Sequence, residues 1–432
     1  MSGADPDAVA TAVADAHRRG WALVLAATVR VARDLDVAEE CVQEAYAAAL
    51  ATWPRDGLPQ NPVGWLTTAA KRRAIDVGRR DHVVRSRLPL LVEPEDTAAA
   101  GPEEPAPRHT DERHPDELTH HVPDERLRLV FLCCHPALAQ EAQLALTLRL
   151  VCGISTADIA RTFLVSEPTM GARLMRAKKK IAAARVPYRV PSPAELPDRL
   201  HGVLGVVHVL FTIGHTAPSG ASLVRGDLMN EAIHLARMLR ELVPDEREVQ
   251  GLLALLLVTN ARRSTRVDEQ GRLVRLAEQD RSRWDRSAIA EAHDLLVEGL
   301  RGGPTGRFML QAAIASLHAQ AESFDHTDWP QIVRLYDALL SVWPSPVVAL
   351  NRAVAVAEVA GPARALAEID ELERDGALDS YQYLHTVKAD LLQRQGRSEE
   401  AAAAYRRAFE LTRNQAEKAF LAERLDERAA ER

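Results

Sequence analysis

Apolar residues return every three to four positions through most of this chain, the spacing of helices that bury one stripe and wet the opposite side. Residues 8–80 carry that pattern in pieces separated by turn signals. Asp36 is placed to cap a helix from about residue 37 to 53, whose stripe is Val42, Ala45, Tyr46 and Ala49. The run PRDGLPQNP (54–62) reads as a loop, since Pro, Gly and Asn favour turns over a continued helix. Another helix is predicted over about 63–80.

The pattern stops at 92–125, where six prolines and eleven acidic residues stand against two arginines and no aromatic residue. Such a stretch cannot bury enough surface to fold alone, so it reads as a flexible acidic tether. Helical periodicity resumes over 124–185, VPYRVPSPAELP (186–197) reads as a shorter linker, and 198–432 is helical with no convincing strand. Weak self-similarity marks the tail: GPARALAEIDEL (361–372) aligns with GRSEEAAAAYRRAFEL (396–411), Ala365 on Ala401 and Ile369 on Tyr405, an offset of 36. That offset, with Gly396, Ala401, Tyr405 and Ala408 in the second copy, suits a tetratricopeptide-like helix pair. Over 200–345 no repeat register can be assigned.

Composition narrows the class. At 432 residues two to four domains are expected, and the 47% hydrophobic content is ample for burial. No apolar run approaches the ~18 residues that span a bilayer. The beginning, MSGADPDAVATAVADAHRRG, is acidic early and lacks an apolar stretch, so no signal peptide is predicted. Cys41, Cys133, Cys134 and Cys152 show no disulfide spacing, which suits a reducing compartment. The expectation is an all-α, cytoplasmic protein without a membrane partner.

The formal net charge is −7, yet residues 161–189 hold eight basic residues and one acid. Within them SEPTMGARLMRAKKKIAAAR (166–185) has Ser166 as a capping residue and Pro168 in the first turn, where a missing N–H costs nothing. Met170, Leu174, Ala177 and Ile181 form its narrow apolar stripe; Gly171, Ala172, Met175, Arg176 and Lys179 lie on the opposite face, flanked by Thr169, Arg173, Lys178 and Lys180. A short helix before it, about 156–163, offers Ile159, Ala160 and Phe163 across the turn Leu164–Val165. That is the plan of a helix-turn-helix whose second helix enters a major groove, and its local charge attracts phosphate. A solvated basic face is the plainer alternative. A second basic segment, VGWLTTAAKRRAIDVGRRDHVVRSR (63–87), sets Trp65 beside Lys71, Arg72, Arg73, Arg79 and Arg80, with Arg85 and Arg87 further on. An aromatic beside cations is what holding an unstacked base requires, although a tryptophan there is more often core. Just upstream, AEECVQEAY (38–46) gathers Glu39, Glu40, Gln43 and Glu44 on one polar side.

The order AEECVQEAY, WLTTAAKRRAID, GISTADIARTFLVSEPTMGARLMRAKKKI resembles the extracytoplasmic-function group of sigma-70 RNA polymerase sigma factors, the first two in region 2 and the last in region 4. EQDRSRWD (278–285), QAAIASLHA (311–319) and PSPVVALNRAVAVAE (344–358) are similar to the subgroup with a long helical, tetratricopeptide-like C-terminal extension. The layout this implies is region 2 over 8–88, the tether over 89–123, region 4 over 124–188, a helical extension over 189–345 and helical repeats over 346–432. By resemblance, Glu39, Glu40, Gln43 and Glu44 dock on core RNA polymerase. Trp65, Lys71, Arg72, Arg73, Arg79 and Arg80 open and read the −10 promoter element. Ser166, Thr169, Gly171, Ala172, Arg173, Met175, Arg176, Lys179 and Lys180 bind the −35 element. In the family the tether threads toward the polymerase active-site and RNA-exit channel, where these carboxylates would imitate RNA phosphates.

Departures from the family pattern are informative. Arg33-Asp34 stands where Gly-Asp is usual, and Leu164 where the helix-turn-helix often has Gly. Gly171, Ala172 and Met175 replace longer polar residues, which favours thymine-methyl contact or shape readout and leaves Arg176 as the candidate for a bidentate guanine contact.

No phosphate loop, nucleophile set or paired-carboxylate motif gives enzymatic chemistry an anchor, and no cofactor is implied. His109, His114, His120 and His121 in the tether, and CCH at 133–135, lack the ordered spacing of a structural metal site. FTIGHTAPSG (211–220), with His208 and His215, reads as an interhelical turn before a ligand loop; DRSRWD (280–285) reads as a salt-bridged joint with Trp284 in the core. A regulatory protein or peptide is the partner expected for the C-terminal domain. The competing reading is a tetratricopeptide-bearing helix-turn-helix regulator, or ligand-sensing scaffold, acting without polymerase.

Overall fold

The computed structural model describes residues 5–87, 125–163 and 165–429. The acidic tether at 89–123 with its four histidines, Leu164, and the side chains of Arg85 and Arg87 lie outside what is described. Among the described residues the only bridges between extended segments are Gly220–Asn414 and Val267–Leu273, and every long element is a helix. The chain divides into two compact units, one holding Met1–Thr156 and Pro168–Arg199, the other Ala157–Glu167 and Leu200–Arg432.

In the first unit, α1 (Pro6–Ala32), α2 (Leu35–Asp56) and α3 (Pro62–Arg87) pack pairwise around Leu25, Val42, Ala49, Trp53 and Leu66, all essentially buried. The expected stripe Val42, Ala45, Tyr46, Ala49 is buried throughout. Asp34, not Asp36, caps α2: its carboxylate accepts from the N–H groups of Asp36 (2.8 Å) and Val37 (2.9 Å), which starts the helix two residues early. Pro54 does not end α2. The helix runs on to Asp56 and stops at Gly57, whose φ of 86° only glycine adopts without strain. Next come α4 (Glu125–Cys133), α5 (Gln140–Leu146) and a π-helical turn, Thr147–Val151. The short α6 (Thr156–Thr162) precedes α7 (Glu167–Ala183), where Met170, Leu174, Ala177 and Ile181 are buried as the spacing predicts. Cys133 and Cys134 are buried free thiols; burial pushes the Cys134 pKa up to about 12, so it behaves as an apolar side chain.

The second unit takes in α6, then α8 (Leu196–His215) from Leu200 onward, α9 (Gly226–Leu242), α10 (Arg247–Asn260), α11 (Arg286–Leu300) and α12 (Arg307–Gln320). The helix α8 corrects two expectations: it starts inside the predicted linker, and by length and composition it is apolar enough to cross a membrane. Val203, Leu204, Val206, Val207 and Leu210 are buried within the protein, as in a core helix. Phe211–His215 of the expected turn is helical, and the turn itself begins at Thr216. Trp284 is core, with its indole N–H donating to Thr265 Oγ1 at 3.0 Å. Around it the joint is made by stacking rather than ion pairing, because the Arg262 and Arg281 guanidinium groups lie over its ring.

From α13 (Trp329–Val342) onward the elements are hairpins: α14 (Pro346–Ala360), α15 (Pro362–Asp375), α16 (Gln382–Arg394), α17 (Ser398–Leu411) and α18 (Gln415–Ala429). Both α16 and α17 begin 36 residues after their counterparts α14 and α15, the offset legible in the tail. Ala365, Ile369, Ala401 and Tyr405, the aligned residues, are all buried.

Candidate functional site

The polar side of α2 and the two basic helices lie in the first unit. Glu40 and Gln43 are exposed and Glu44 is half-exposed, held by Arg73 of α3 through two hydrogen bonds, one of 2.8 Å from Nη2. That bond lowers the Glu44 pKa. Arg72, Arg73, Arg79 and Arg80 are exposed along α3 and Lys71 is half-buried. Trp65 is half-buried edge-on against Trp53, ring centroids 5.5 Å apart, so its ring is shared between core and surface.

On α7, Ser166, Thr169, Met175, Arg176, Lys179 and Lys180 are exposed, while Gly171, Ala172 and Arg173 are half-buried. Arg173 faces Glu141 of α5 at 3.4 Å. Met175, half-exposed at the centre of this face, is an apolar side chain with nothing over it.

Glu39 departs from the polar face expected of α2. It is buried, and Lys178 of α7 lies 2.7 Å from its Oε2 and 2.7 Å from Asp36 Oδ1. Arg149, from the π-helical turn, pairs with the other oxygen of Glu39. Burial works against the charge on Lys178, but its hydrogen bonds to Asp36 and Glu39 outweigh it and hold the pKa above the ordinary lysine value. Two further contacts join the same halves: the Trp21 indole donates to Leu150 O at 3.2 Å, and the Tyr188 hydroxyl donates to Ala26 O at 3.0 Å. Beside Lys178 a cavity of about 630 Å³ is lined by Arg30, Arg33, Lys179 and Arg185 against Asp34 and Asp36.

Among the described residues no three His, Cys, Asp or Glu side chains gather as they would around a metal ion. The arrangement is one of exposed cations on α3 and α7 and exposed acids and amide on α2, groups that can grip phosphate and dock protein.

Comparison with known proteins agrees with that division. Residues 18–82 match the family described as sigma-70 region 2, and residues 128–181 match sigma-70 region 4. The chain belongs to the sigma-70 family. Its region 2 comprises most of α1 to α3 and its region 4 runs from α4 into α7. Beyond them this sigma-70 protein carries a C-terminal helical extension, of which residues 199–300 match a family of unknown function, DUF6596. An uncharacterized protein of Rhizobium meliloti (strain 1021) is 41% identical over 412 residues, covering 94% of this chain and 93% of its own. The crystal structure of yeast Tom70 overlaps 99% of this chain and 85% of that one, with 11% identity and a TM-score of 0.39.

Sequence reasoning missed Lys178, Arg149 and Asp36 as a joint between regions 2 and 4 of this sigma-70 protein. The helical spacing places Lys178 at the flank of the exposed basic face, whereas its side chain is largely buried against Asp36 and Glu39. Its special position is that it sits one residue from the buried stripe residue Ala177 and turns inward, while Lys179 and Lys180 turn out.

Proposed function

We propose that this sigma-70 protein binds core RNA polymerase through Glu40, Gln43 and Glu44 of α2, and through Glu39 once region 4 has moved off it. The −10 element is read by Trp65 with Lys71, Arg72, Arg73, Arg79 and Arg80. The −35 element is read by α7, through Ser166, Thr169, Gly171, Ala172, Arg173, Met175, Arg176, Lys179 and Lys180. The helical extension regulates this activity. One observation supports the reading: the region 2 and region 4 matches fall on the very helices that expose the cations, and the region 2 match also takes in the polar side of α2.

Mechanistically, the exposed arginines and lysines set register by phosphate contact, and few side chains read bases. Trp65, half-exposed beside these cations, offers its ring for an unstacked base to stack on, offsetting a few kcal/mol of unstacking per step. With Arg149 and Lys178 on Glu39, regions 2 and 4 are closed against each other. Reaching two promoter elements requires that joint to open.

The test is run-off transcription with purified core polymerase and a promoter from the gene's own neighbourhood, beside a pull-down of core polymerase. Specific transcripts that disappear with Glu40→Lys plus Glu44→Lys are expected. Operator binding without any polymerase association would leave the competing regulator reading in its place.

A further inference from the structure

The second unit contains a cavity of about 540 Å³ in its hairpin array, remote in sequence from the sigma regions and independent of the function proposed for them. Its walls come from α14, α16 and α18, the first helices of successive hairpins, which line the concave side of such an array. One face of α16 points in throughout its length, with Gln382, Thr386, Asp390 and Arg394 four residues apart. Val354, Val387, Leu391, Phe324 and Phe420 supply an apolar lining.

A strap from the upstream half roofs this hollow. Residues 266–274 form a turn closed by the Val267–Leu273 bridge, and Leu273 and Leu276 reach the lining. Arg275 lies 3.9 Å from Asp390, and Arg272 lies 3.8 Å from Glu423. A hollow of this volume, partly covered by the strap, has the size to take one small molecule.

Charge selects the molecule. Two arginines, Arg275 and Arg394, line the cavity with three acids, Glu358, Asp390 and Glu417. Arg394 is paired with Glu358 at 2.6 Å, and Arg275 is hydrogen-bonded to Glu278 while lying 3.9 Å from the half-exposed Asp390; of the lining acids Glu417 is the buried one. Its carboxylate is buried and, among the described residues, accepts from the neutral donors Gln382 Nε2 at 2.7 Å and the Tyr383 hydroxyl at 2.5 Å. Arg266 lies within the field of Glu417, but its guanidinium donates to His215 O and Thr216 Oγ1. Two donors leave lone pairs of a carboxylate unused.

We propose that this cavity is a ligand site for a small amphipathic amine, its hydrocarbon or aromatic body against Val387, Phe324 and Phe420 and its cationic head on Glu417. Occupancy ties the strap to α16 and α18, so the site is where a metabolite signal enters the extension.

Isothermal titration of the full chain with 4-phenylbutylamine, 4-phenylbutanol and 5-phenylpentanoate tests this, since the three share a phenyl ring on four methylenes and differ in the head group. The amine should bind more tightly than the carboxylate by about tenfold or more. Glu417→Gln should remove that preference while leaving the alcohol unchanged. Val387→Trp, which fills the cavity and spares Glu417, should abolish binding of all three, and it serves as the decisive variant if Glu417→Gln melts early. Equal binding of amine and carboxylate, a preference that survives Glu417→Gln, binding that survives Val387→Trp, or no binding of any probe at millimolar concentration would overturn the proposal.

Discussion

Lys178 is where charge, burial and conformation meet. Its side chain is 11% exposed and that of Glu39 is 8% exposed, so the pair is a desolvated one rather than a surface bridge. Removing one member of such a pair typically costs about 3–5 kcal/mol because the other is left buried. Arg149 stays behind to share Glu39, so Lys178→Met should destabilise the first unit by about 3 kcal/mol in urea unfolding. Glu39→Gln in the same chain should recover part of that loss, the signature of a coupled pair in a double-mutant cycle. If the closed arrangement competes with polymerase, Lys178→Met should also tighten binding to core polymerase in an equilibrium pull-down. Arg33 offers a second residue-scale test. It ends α1 at φ 57°, a left-handed conformation in which its N–H reaches Val29 O at 2.8 Å. The family's usual glycine suits that geometry, so Arg33→Gly should raise stability by about 0.5–1 kcal/mol, read from the denaturation midpoint.

At the scale of elements, α7 divides its cations by direction. Lys178 is inward, while Arg176, Lys179 and Lys180 remain exposed. Lys179→Ala with Lys180→Ala should weaken promoter binding across sequences and reduce the salt slope by about 2, measured by fluorescence anisotropy of the holoenzyme over a salt series. Arg176→Ala should instead cost about 1–3 kcal/mol at one base position and relax selectivity there. Much of α7 was legible beforehand. Four apolar residues at helical spacing name the buried face by themselves, and the cations fall on what is left. The α2–α3 boundary was less legible: Pro54 is a turn signal in isolation, yet Trp53 is buried by tertiary packing, and the helix holds on for three residues past it. Similarly, the fraction of Trp65 that remains exposed depends on where Trp53 sits, which no local pattern contains.

For the whole molecule, the second unit carries histidines that must stay neutral. Burial, aided by Arg307, lowers the His208 pKa to about 4. Burial with Arg262 and Arg281 lowers that of His318 to about 4. Burial with Arg266 and Arg262 takes His215 well below its ordinary value. Their folded pKa values are depressed, so the unfolded chain binds more protons on the acid side. The stability they contribute is therefore complete above about pH 6.5 and lost as pH falls toward about 4, at up to about 1.4 kcal/mol per pH unit for each histidine. Thermal unfolding followed across that window should show a steep fall for the native chain and a shallower one for His208→Gln with His318→Gln. Order along the chain is enough for the helical class, the region 2 and region 4 motifs, the apolar stripes of α2 and α7 and the 36-residue repeat of the tail. Each of these is a local regularity, set by which residues follow which at the period of a helix. The burial of Glu39 under Arg149 and Lys178, the packing of α8 as a core helix and the hollow that α14, α16 and α18 form beside Glu417 come instead from packing. Those facts depend on side chains brought together from distant parts of the chain, and burial, which sets their charge energetics, is a property of the packed molecule.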